Sequence, residues 1–226
     1  MTKPLMMKKA PPFPTPNVAV DTVLCTIIDN QVHVLMIQIG SGVLENYWAL
    51  PGGLVHVDES LDAAAKRVLF EKAHAENIYL EQLYAFGAVD RDPRSRTISV
   101  AYYALINDAD IHSIHKGHYY KDTQWFPIHM LPTDVAFDHT DIIAFAHNRL
   151  KETITQPKTL ASLLPKRFTL SRLQRIHEII LEQEIDKRNF RKKLLALDLV
   201  TKTKEKEDGM AHRPAWLYEF NPHSSL

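Results

Sequence analysis

The stretch W-A-L-P-G-G-L-V-H-V-D-E-S-L-D-A-A-A-K-R-V-L-F-E-K-A-H-A, residues 48–75, decides the fold of this chain. Gly52 and Gly53 form a turn that leads into a helix with an acidic start. Glycine lets a backbone approach a ligand closely, and the amides at a helix N-terminus bind anions. The layout therefore suits a phosphate-bearing ligand held against backbone amides, beside a helix face that carries carboxylates.

The spacing of this stretch resembles the Nudix box, a loop-helix-loop that binds Mg²⁺ and a nucleoside diphosphate. Gly53 is followed after five residues by Glu59 and after seven more by Arg67, with Glu71 on the next turn. The resemblance implies a Nudix-like fold in which Glu59 and Arg67 support the loop. The alternative is an ordinary amphipathic helix whose apolar residues are simply buried.

The metal-binding part of the box departs from the family pattern. Box carboxylates lie at helix positions i, i+3 and i+4, where they share one face, but these positions hold Val68, Glu71 and Lys72 here. Mg²⁺ requires oxygen ligands, and a lysine beside the remaining glutamate adds a competing positive charge. We therefore expect that the Mg²⁺ site is lost and that the chain is not an enzyme, with Glu59, Glu71 and an outside carboxylate as the alternative metal site.

The composition is that of a globular protein of one large or two modest domains. The chain has 226 residues, 45% hydrophobic and 9% aromatic, and no apolar run near the ~18 residues of a membrane span. Its single cysteine, Cys25, excludes an internal disulfide and fits a reducing, cytoplasmic compartment. Because Cys25 lies in an apolar run, we expect a buried, inert thiol. Residues 1–16 contain five prolines and predict a flexible arm rather than a signal peptide.

The hydrophobic pattern predicts an α/β domain over residues 17–153. Strands are expected at 18–28 and 31–39, joined by a hairpin turn at Asp29 and Asn30, and at 79–88, 96–107 and 123–127. Helices are expected at 59–73 and 140–153. Together with the box, these elements predict a Nudix-like α/β/α sandwich with a mixed sheet.

Two groups of residues in this domain are candidates for binding. Arg91, Arg94 and Arg96 place three guanidiniums within six residues, and arginine suits bidentate recognition of phosphate. The alternative is a solvated charged turn. His112, His115 and His118 are spaced three apart, but Gly117 interrupts any helix, so a polar surface segment is favoured over a metal site.

The C-terminal part has a different charge and a different pattern. Residues 165–226 carry a net charge of +4, against −4 for residues 1–164. After a linker at 154–167 with at most a short turn, one helix is predicted with Thr169 as N-cap and a second with Asp186 as N-cap. The second helix is amphipathic, with Phe190, Leu194 and Leu197 on its apolar face.

The remainder of this part completes a winged helix-turn-helix domain at 168–221, followed by a tail at 222–226. Strands are expected at 199–203 and 215–220 around a basic loop, and a basic helix followed by a basic hairpin is typical of DNA binding. The alternative is a small helical cap whose charges face water. The residues expected to contact double-stranded DNA are Lys187, Arg188, Asn189, Arg191 and Lys192 on the helix and His212 and Arg213 on the wing.

The order of these parts resembles the NrtR family, the Nudix-related transcriptional regulators of bacterial NAD metabolism. The matching segments are residues 48–53, 79–83, 91–94, 136–139, 186–192 and 213–218. The resemblance implies a dimeric repressor that binds a palindromic operator and releases it when ADP-ribose or a related NAD derivative binds the Nudix-like domain. The residues expected to bind the effector are Gly52, Gly53, Arg67, Arg91, Arg94, Arg96, Phe137 and His139. An active Nudix hydrolase and a sugar-responsive regulator of the same architecture are the alternatives.

Overall fold

The computed structural model describes residues 15–75, 78–114, 120–207 and 214–221. Its first part is built on a seven-stranded mixed sheet. The strands are β1 (Asn17–Ile28), β2 (Gln31–Ile39), β3 (Trp48–Ala49), β4 (Gly52–Leu54), β5 (Tyr79–Phe86), β6 (Thr97–Leu105) and β7 (Tyr120–Pro127). The main order is β3-β2-β1-β6-β5, with β4 paired to β1 and β7 paired to β2. The β1–β6 pair is parallel and the other pairs are antiparallel, which confirms the mixed sheet.

The hairpin between β1 and β2 turns where the sequence predicts it. Asp29 and Asn30 both have positive φ, at 47° and 61°. Two-residue hairpin turns of this kind need positive φ at both central positions, and Asp and Asn tolerate that conformation better than most residues.

Two helices cover opposite faces of the sheet, as expected for an α/β/α sandwich. Helix α1 (Leu61–Ala73) packs through Ala64 and Val68 against Val20 of β1. Helix α2 (His139–Thr153) packs on the other face, in the cluster that contains Val23. Val20 and Val23 lie on opposite faces because successive side chains of a strand alternate. A short 3-10 helix, Asp108–Ser113, follows β6.

Within the residues that the structure describes, the second part contains three helices and a small three-stranded sheet. The helices are α3 (Pro157–Leu163), α4 (Leu170–Leu181) and α5 (Lys187–Ala196), and the strands are β8 (Phe168–Thr169), β9 (Val200–Lys206) and β10 (Trp216–Phe220). The sheet order is β8-β10-β9. The Thr169 side chain caps α4 and the Asp186 side chain caps α5, as predicted. Helix α3 lies within the segment that the sequence predicts as a linker, and its Leu160 and Leu163 are buried.

The hydrophobic core continues from one part of the chain into the other. Ile142 and Leu150 of α2 belong to the same buried cluster as Leu173 and Ile180 of α4. Residues 1–14 and most of the histidine segment at 112–118 lie outside the described residues or side chains. Among the described helices, none has the length and apolar character needed to cross a bilayer.

Candidate effector cavity and nucleic-acid interface

An open cavity of about 510 Å³ lies where the Pro-Gly-Gly turn, β1 and the N-terminus of α2 meet. Its volume is within the usual range for small-molecule sites. Six of the eight expected effector residues line it: Gly52, Gly53, Arg91, Arg94, Phe137 and His139. The other lining residues are Asn17, Ala19, Asp21, Ile37, Ile39, Ala49, Leu50, Leu54, Asp92, Ser95, Thr97 and Tyr120.

The Pro-Gly-Gly turn is fixed to β1, and this contact requires glycine. The carbonyl oxygen of Pro51 accepts hydrogen bonds from both the backbone N–H and the hydroxyl of Thr22, each at 2.8 Å. A Cβ on Gly52 would lie 2.0 Å from Oδ1 of Asp21, too close for any side chain. The absence of a side chain at Gly52 therefore lets the turn and the Asp21 carboxylate lie together at the cavity wall.

Arg91 is paired with acidic residues of the cavity wall and leaves little of its side chain accessible to a ligand. Its guanidinium donates to both carboxylate oxygens of Asp138, at 2.9 and 2.6 Å, and to Asp21 at 3.3 Å. The Arg91 side chain is only 3% exposed. Buried guanidiniums need such partners, so this pairing joins the loop of residues 89–95 to the start of α2 and to β1.

Asp21 is the central carboxylate of the cavity. The Ser99 hydroxyl donates to it at 2.5 Å, and Nε2 of His139 lies 3.5 Å from its other oxygen. Burial raises the pKa of Asp21, but His139, Ser99 and Arg91 outweigh this effect and lower it. Nδ1 of His139 accepts the backbone N–H of Leu50 at 2.9 Å, which places the ring proton on Nε2, towards Asp21.

Arg94 and Phe137 form the more accessible wall. Arg94 donates to both carboxylate oxygens of Asp92, each at 2.9 Å, yet its side chain remains 58% exposed. Its guanidinium carbon lies 4.8 Å from the centre of the half-buried Phe137 ring. Phe137 has a positive φ of 58°, an uncommon conformation for an aromatic residue that is often found at binding sites. The pair presents a cation beside an aromatic face, which suits a phosphate next to a planar base.

Arg67 and Arg96 are not among the cavity-lining residues. Arg67 donates to Glu59 at 2.9 and 2.5 Å, to Glu71 at 3.3 Å and to the carbonyl of Leu54 at 3.0 Å. The Arg67 hydrogen bonds to Glu59, with one from the His56 amide, lower the pKa of Glu59 to about 2. Arg67 and Glu59 thus support the loop between β4 and α1.

Arg96 is directed at backbone carbonyls beside the loop of residues 89–95. It donates to the oxygens of Ala88 and Gly87 at 2.9 and 3.0 Å. Arg96 is close to Arg91 and Arg94 in the sequence, but its side chain does not point into the cavity with theirs.

The three box positions after Arg67 have different surroundings. Val68 is fully buried, and its γ-methyl group would lie 3.2 Å from a Cβ on Gly53. The Glu71 side chain is 45% exposed and pairs with Arg67. The Lys72 ammonium lies 4.8 Å from the ring centre of Tyr120, a cavity-lining residue. Of the three positions that carry carboxylates in the box pattern, Val68 is therefore a hydrocarbon in the core, Glu71 is a carboxylate, and Lys72 is a cation near the cavity.

Helix α5 presents a basic surface, as predicted. Lys187, Arg188, Asn189 and Lys192 are exposed. Arg191 is partly buried and donates to the Ser171 hydroxyl at 3.1 Å, so it also joins α5 to α4. On the apolar side Phe190 is partly buried and Leu194 is buried. Leu197 is the C-cap that follows the helix and is 45% exposed, so the apolar face is shorter than predicted.

The hairpin of β9 and β10 also carries basic side chains. The ammonium groups of Lys202 and Lys206 lie 3.7 and 4.6 Å from the ring centre of Trp216. The expected wing contacts His212 and Arg213 fall outside the described residues.

Three acidic residues of the cavity region were not expected from the sequence: Asp21, Asp92 and Asp138. Asp21 could have been found, because it is a lone charge in the apolar run of β1. Asp138 gave no such signal, since its position before a helix is typical of an ordinary N-cap. In the structure its carboxylate makes no cap hydrogen bond and binds Arg91 instead.

Two family models match the chain in the order of its two parts. The model described as the NUDIX domain matches residues 19–145, and the model described as the NrtR DNA-binding winged helix domain matches residues 160–220. The second match includes most of α3, which lies before the winged helix domain predicted from the sequence.

Known proteins are similar over nearly the whole chain. The "ADPR responsive transcriptional repressor NtrR" of Acinetobacter baylyi is 37% identical over 213 residues, covering 92% of this chain and 83% of that protein. The crystal structure of Shewanella oneidensis NrtR complexed with a 27mer DNA is 32% identical with a TM-score of 0.75, covering 92% and 94% of the two chains. The NUDIX domain of that protein complexed with ADP ribose is 31% identical with a TM-score of 0.54, covering 66% and 99%.

Proposed function

Because this chain belongs to the NrtR family of Nudix-related transcriptional regulators, we propose that it represses genes of NAD biosynthesis or salvage. In this proposal the cavity binds ADP-ribose or a related NAD derivative, and α5 binds operator DNA. The similarity to an ADPR responsive repressor and to structures that hold DNA and ADP ribose supports this proposal.

The proposal rests on the position of α2, which runs from the cavity to the DNA-binding part of the chain. At its N-terminus, Asp138 pairs with Arg91 and His139 lines the cavity. At its other end, Lys151 donates to Glu182 at the end of α4, at 2.8 Å. A helix of 15 residues is about 22 Å long. One rigid element therefore contacts both the cavity and the helix that supports α5.

The regulatory step is a linkage between two binding equilibria. If ADP-ribose binds better to the arrangement of domains that does not fit the operator, it weakens DNA binding. By linkage, DNA then weakens the binding of ADP-ribose by the same factor. We propose that the effector acts on Arg94 and Phe137 and that the change reaches α4 through α2.

We infer that the effector is bound and left intact. Val68 is enclosed in the core beneath Gly53, and Lys72 places a cation beside the cavity-lining Tyr120. A hydrolase would need carboxylates converging on Mg²⁺ at these positions. The Lys72 ammonium would instead supply positive charge near the diphosphate.

We propose a cytoplasmic homodimer on a palindromic operator, since a twofold symmetric protein matches two half-sites. We assign residues 17–153 to the effector domain and 168–221 to the DNA-binding domain, with the Arg67 and Arg96 side chains acting outside the cavity.

The test is fluorescence-polarisation binding of the full chain to labelled DNA from its own upstream region. ADP-ribose is titrated into the complex with Mg²⁺ and with EDTA, and hydrolysis products are assayed in the same samples. We expect DNA binding, release by ADP-ribose in both conditions, and no product.

Other outcomes identify the alternatives. Mg²⁺-dependent hydrolysis without DNA binding would make the chain a Nudix hydrolase. DNA binding that ADP-ribose leaves unchanged, but that a sugar phosphate reverses, would make it a sugar-responsive regulator of the same architecture.

A further inference from the structure

Three side chains with metal-binding chemistry meet where the two parts of the chain contact each other. His129 follows β7, His147 lies on α2, and Glu182 ends α4. Their nearest ligand atoms, one from each residue, all lie within 4.8 Å of one another. This cluster is separate from the residues that line the effector cavity. We propose that His129, His147 and Glu182 bind a divalent transition-metal ion of the zinc class.

The distances within the cluster fit such an ion. Nε2 of His129 lies 2.6 Å from Oε1 of Glu182, and Nε2 of His147 lies 3.6 Å from the same oxygen. Ligand atoms around a tetrahedral zinc ion are separated by roughly 3.3 Å, given Zn–N distances of about 2.0 Å. This separation lies between the shortest distance between ligand atoms in the cluster, 2.6 Å, and the limit of 4.8 Å within which they all lie, so modest side-chain rotations complete the site.

The second observation is the state of the His147 ring. The His147 side chain is 91% buried, since only 9% is exposed, and its Nε2 has no hydrogen-bond partner among the described residues. A buried polar atom without a partner costs free energy, and this nitrogen faces the Glu182 carboxylate. A metal ion at the cluster would supply the missing partner.

The chemistry of the donors selects the class of ion. Two imidazole nitrogens and one carboxylate oxygen suit zinc, with a water molecule in the fourth position. Mg²⁺ and Ca²⁺ prefer sites made entirely of oxygen ligands, so they fit poorly. Cys25, the chain's single thiol, is buried in the hydrophobic core and is not a member of this cluster.

Lys151 is the neighbouring cation and occupies the second oxygen of Glu182. Its Nζ lies 2.8 Å from Oε2, whereas both histidines approach Oε1. The lysine therefore orients the carboxylate while leaving Oε1 for the metal, as residues around metal ligands commonly do. Its charge also opposes a dication, so we expect weaker binding than at a cysteine-rich zinc site.

The ligands come from both sides of the contact between the two parts. His129 and His147 belong to the first part, and Glu182 is the C-cap of α4 in the second. A bound ion would therefore stabilise the contact between α2 and α4, because it binds only when the three ligands are together.

The experiment uses the full chain without an affinity tag, titrated first with Co²⁺ and then with Zn²⁺. We expect the visible absorption bands of tetrahedral Co²⁺, their loss when Zn²⁺ displaces the cobalt, and a thermal unfolding midpoint that rises with Zn²⁺. The variants His129→Asn and Glu182→Gln change exposed side chains and should fold; each should weaken Co²⁺ binding at this site at least tenfold and abolish the Zn²⁺-dependent rise.

The control is His56→Asn. His56 is also exposed and lies 3.8 Å from a carboxylate, that of Glu59, but it has no second histidine in a metal-binding cluster among the described residues. This variant should keep the absorption bands and the rise in midpoint. Titrations that are the same in the wild type, His129→Asn and Glu182→Gln would overturn the proposal and place any bound metal elsewhere.

Discussion

The guanidinium of Arg91 donates two hydrogen bonds to the carboxylate of Asp138, from Nε at 2.9 Å and from Nη2 at 2.6 Å. These residues are 47 positions apart and belong to different elements. The contact fixes the first turn of α2 against the loop of residues 89–95, and Phe137 and His139 lie on either side of Asp138. The geometry of the cavity therefore depends on a buried ion pair.

Replacing Asp138 by Ala should strongly destabilise the fold. The change leaves the Arg91 guanidinium, 3% exposed, with an ion pair to Asp21 in place of two ion pairs among the described residues. Removing one member of a buried pair typically costs about 3 kcal/mol or more. Urea unfolding measures the loss. A decrease in unfolding free energy below about 1 kcal/mol would mean that the pair contributes little.

Replacing Arg94 by Ala should affect ADP-ribose binding more than the stability of the fold. Its side chain is 58% exposed, but the Asp92 carboxylate that it pairs with is only 5% exposed, so the loss of stability should be smaller than for Asp138→Ala but still measurable. Loss of a charged hydrogen bond to phosphate should weaken ADP-ribose binding by roughly tenfold or more. Calorimetric titration with ADP-ribose measures this. Unchanged affinity would remove Arg94 from the effector site.

Gly52 should not tolerate a side chain. In Gly52→Ala, the new Cβ would lie 2.0 Å from Oδ1 of Asp21, so the turn or the carboxylate must move. We expect a loss of about 1 to 3 kcal/mol in stability, as for overpacked sites, together with weaker ADP-ribose binding.

The control for this change is Gly87→Ala. Its Cβ would meet only Ile98, at 3.9 Å, which is ordinary contact. Thermal unfolding and ADP-ribose titration should separate the two variants, and equal behaviour would show that the space at Gly52 is not limiting.

The sequence predicts those parts of the molecule that depend on local pattern. The hairpin at Asp29 and Asn30, α1 and α2, and the caps Thr169 and Asp186 follow from periodicity and capping preferences. Strands β3 and β4, with two and three residues, are too short to show any period. They exist because β2 and β1 offer edges for pairing.

In the cavity, too, some features could be predicted from local sequence pattern and others could not. The sequence predicts that the Pro-Gly-Gly turn and the loop of residues 89–95 bind a ligand, and both segments line the cavity, but the direction of each arginine side chain could not be predicted. Arg91 turns inward because Asp138 and Asp21 are there, whereas Arg96 binds the carbonyls of Gly87 and Ala88. These partners are set by tertiary contacts, which no spacing within the loop records.

The basic face of α5 should account for the salt dependence of DNA binding. Arg188 is exposed on this helix, so Arg188→Ala should weaken binding and reduce the slope of log K against log salt by about 1 if it contacts one phosphate. The control Lys66→Ala removes the same charge from the exposed face of α1 and should leave the slope unchanged. Equal slopes in the wild type and Arg188→Ala would argue against this helix as the DNA contact.

Arg191 should affect DNA binding in two ways that can be separated. It adds charge to α5, and it donates to the Ser171 hydroxyl of α4 at 3.1 Å. Ser171→Ala removes the contact and keeps the charge, so it should lower affinity without changing the salt slope. Arg191→Ala should lower both. If Ser171→Ala left the affinity unchanged, the contact would not position the helix.

Acid should destabilise the fold through buried histidines. Burial lowers the pKa of His177, despite a hydrogen bond from its Nδ1 to the Leu173 carbonyl, because the ring is enclosed beside Phe190. Burial likewise lowers the pKa of His147 to about 4. The unfolded chain, with histidine pKa near 6.5, therefore binds protons before the folded chain does. The stability that the neutral, buried histidines contribute is fully present above about pH 6.5. It falls as the pH decreases towards the pKa of each histidine in the folded chain, by up to about 1.4 kcal/mol per pH unit for each histidine.

Urea unfolding of the wild type and of His177→Gln between pH 7.5 and 5 measures this effect. The variant should lose stability less steeply than the wild type, and the remaining slope should contain the contribution of His147. His56→Asn is the matched control, since it removes one exposed histidine in place of a buried one. Parallel curves for the wild type and His177→Gln would show that His177 takes up its proton equally well in the folded and the unfolded chain.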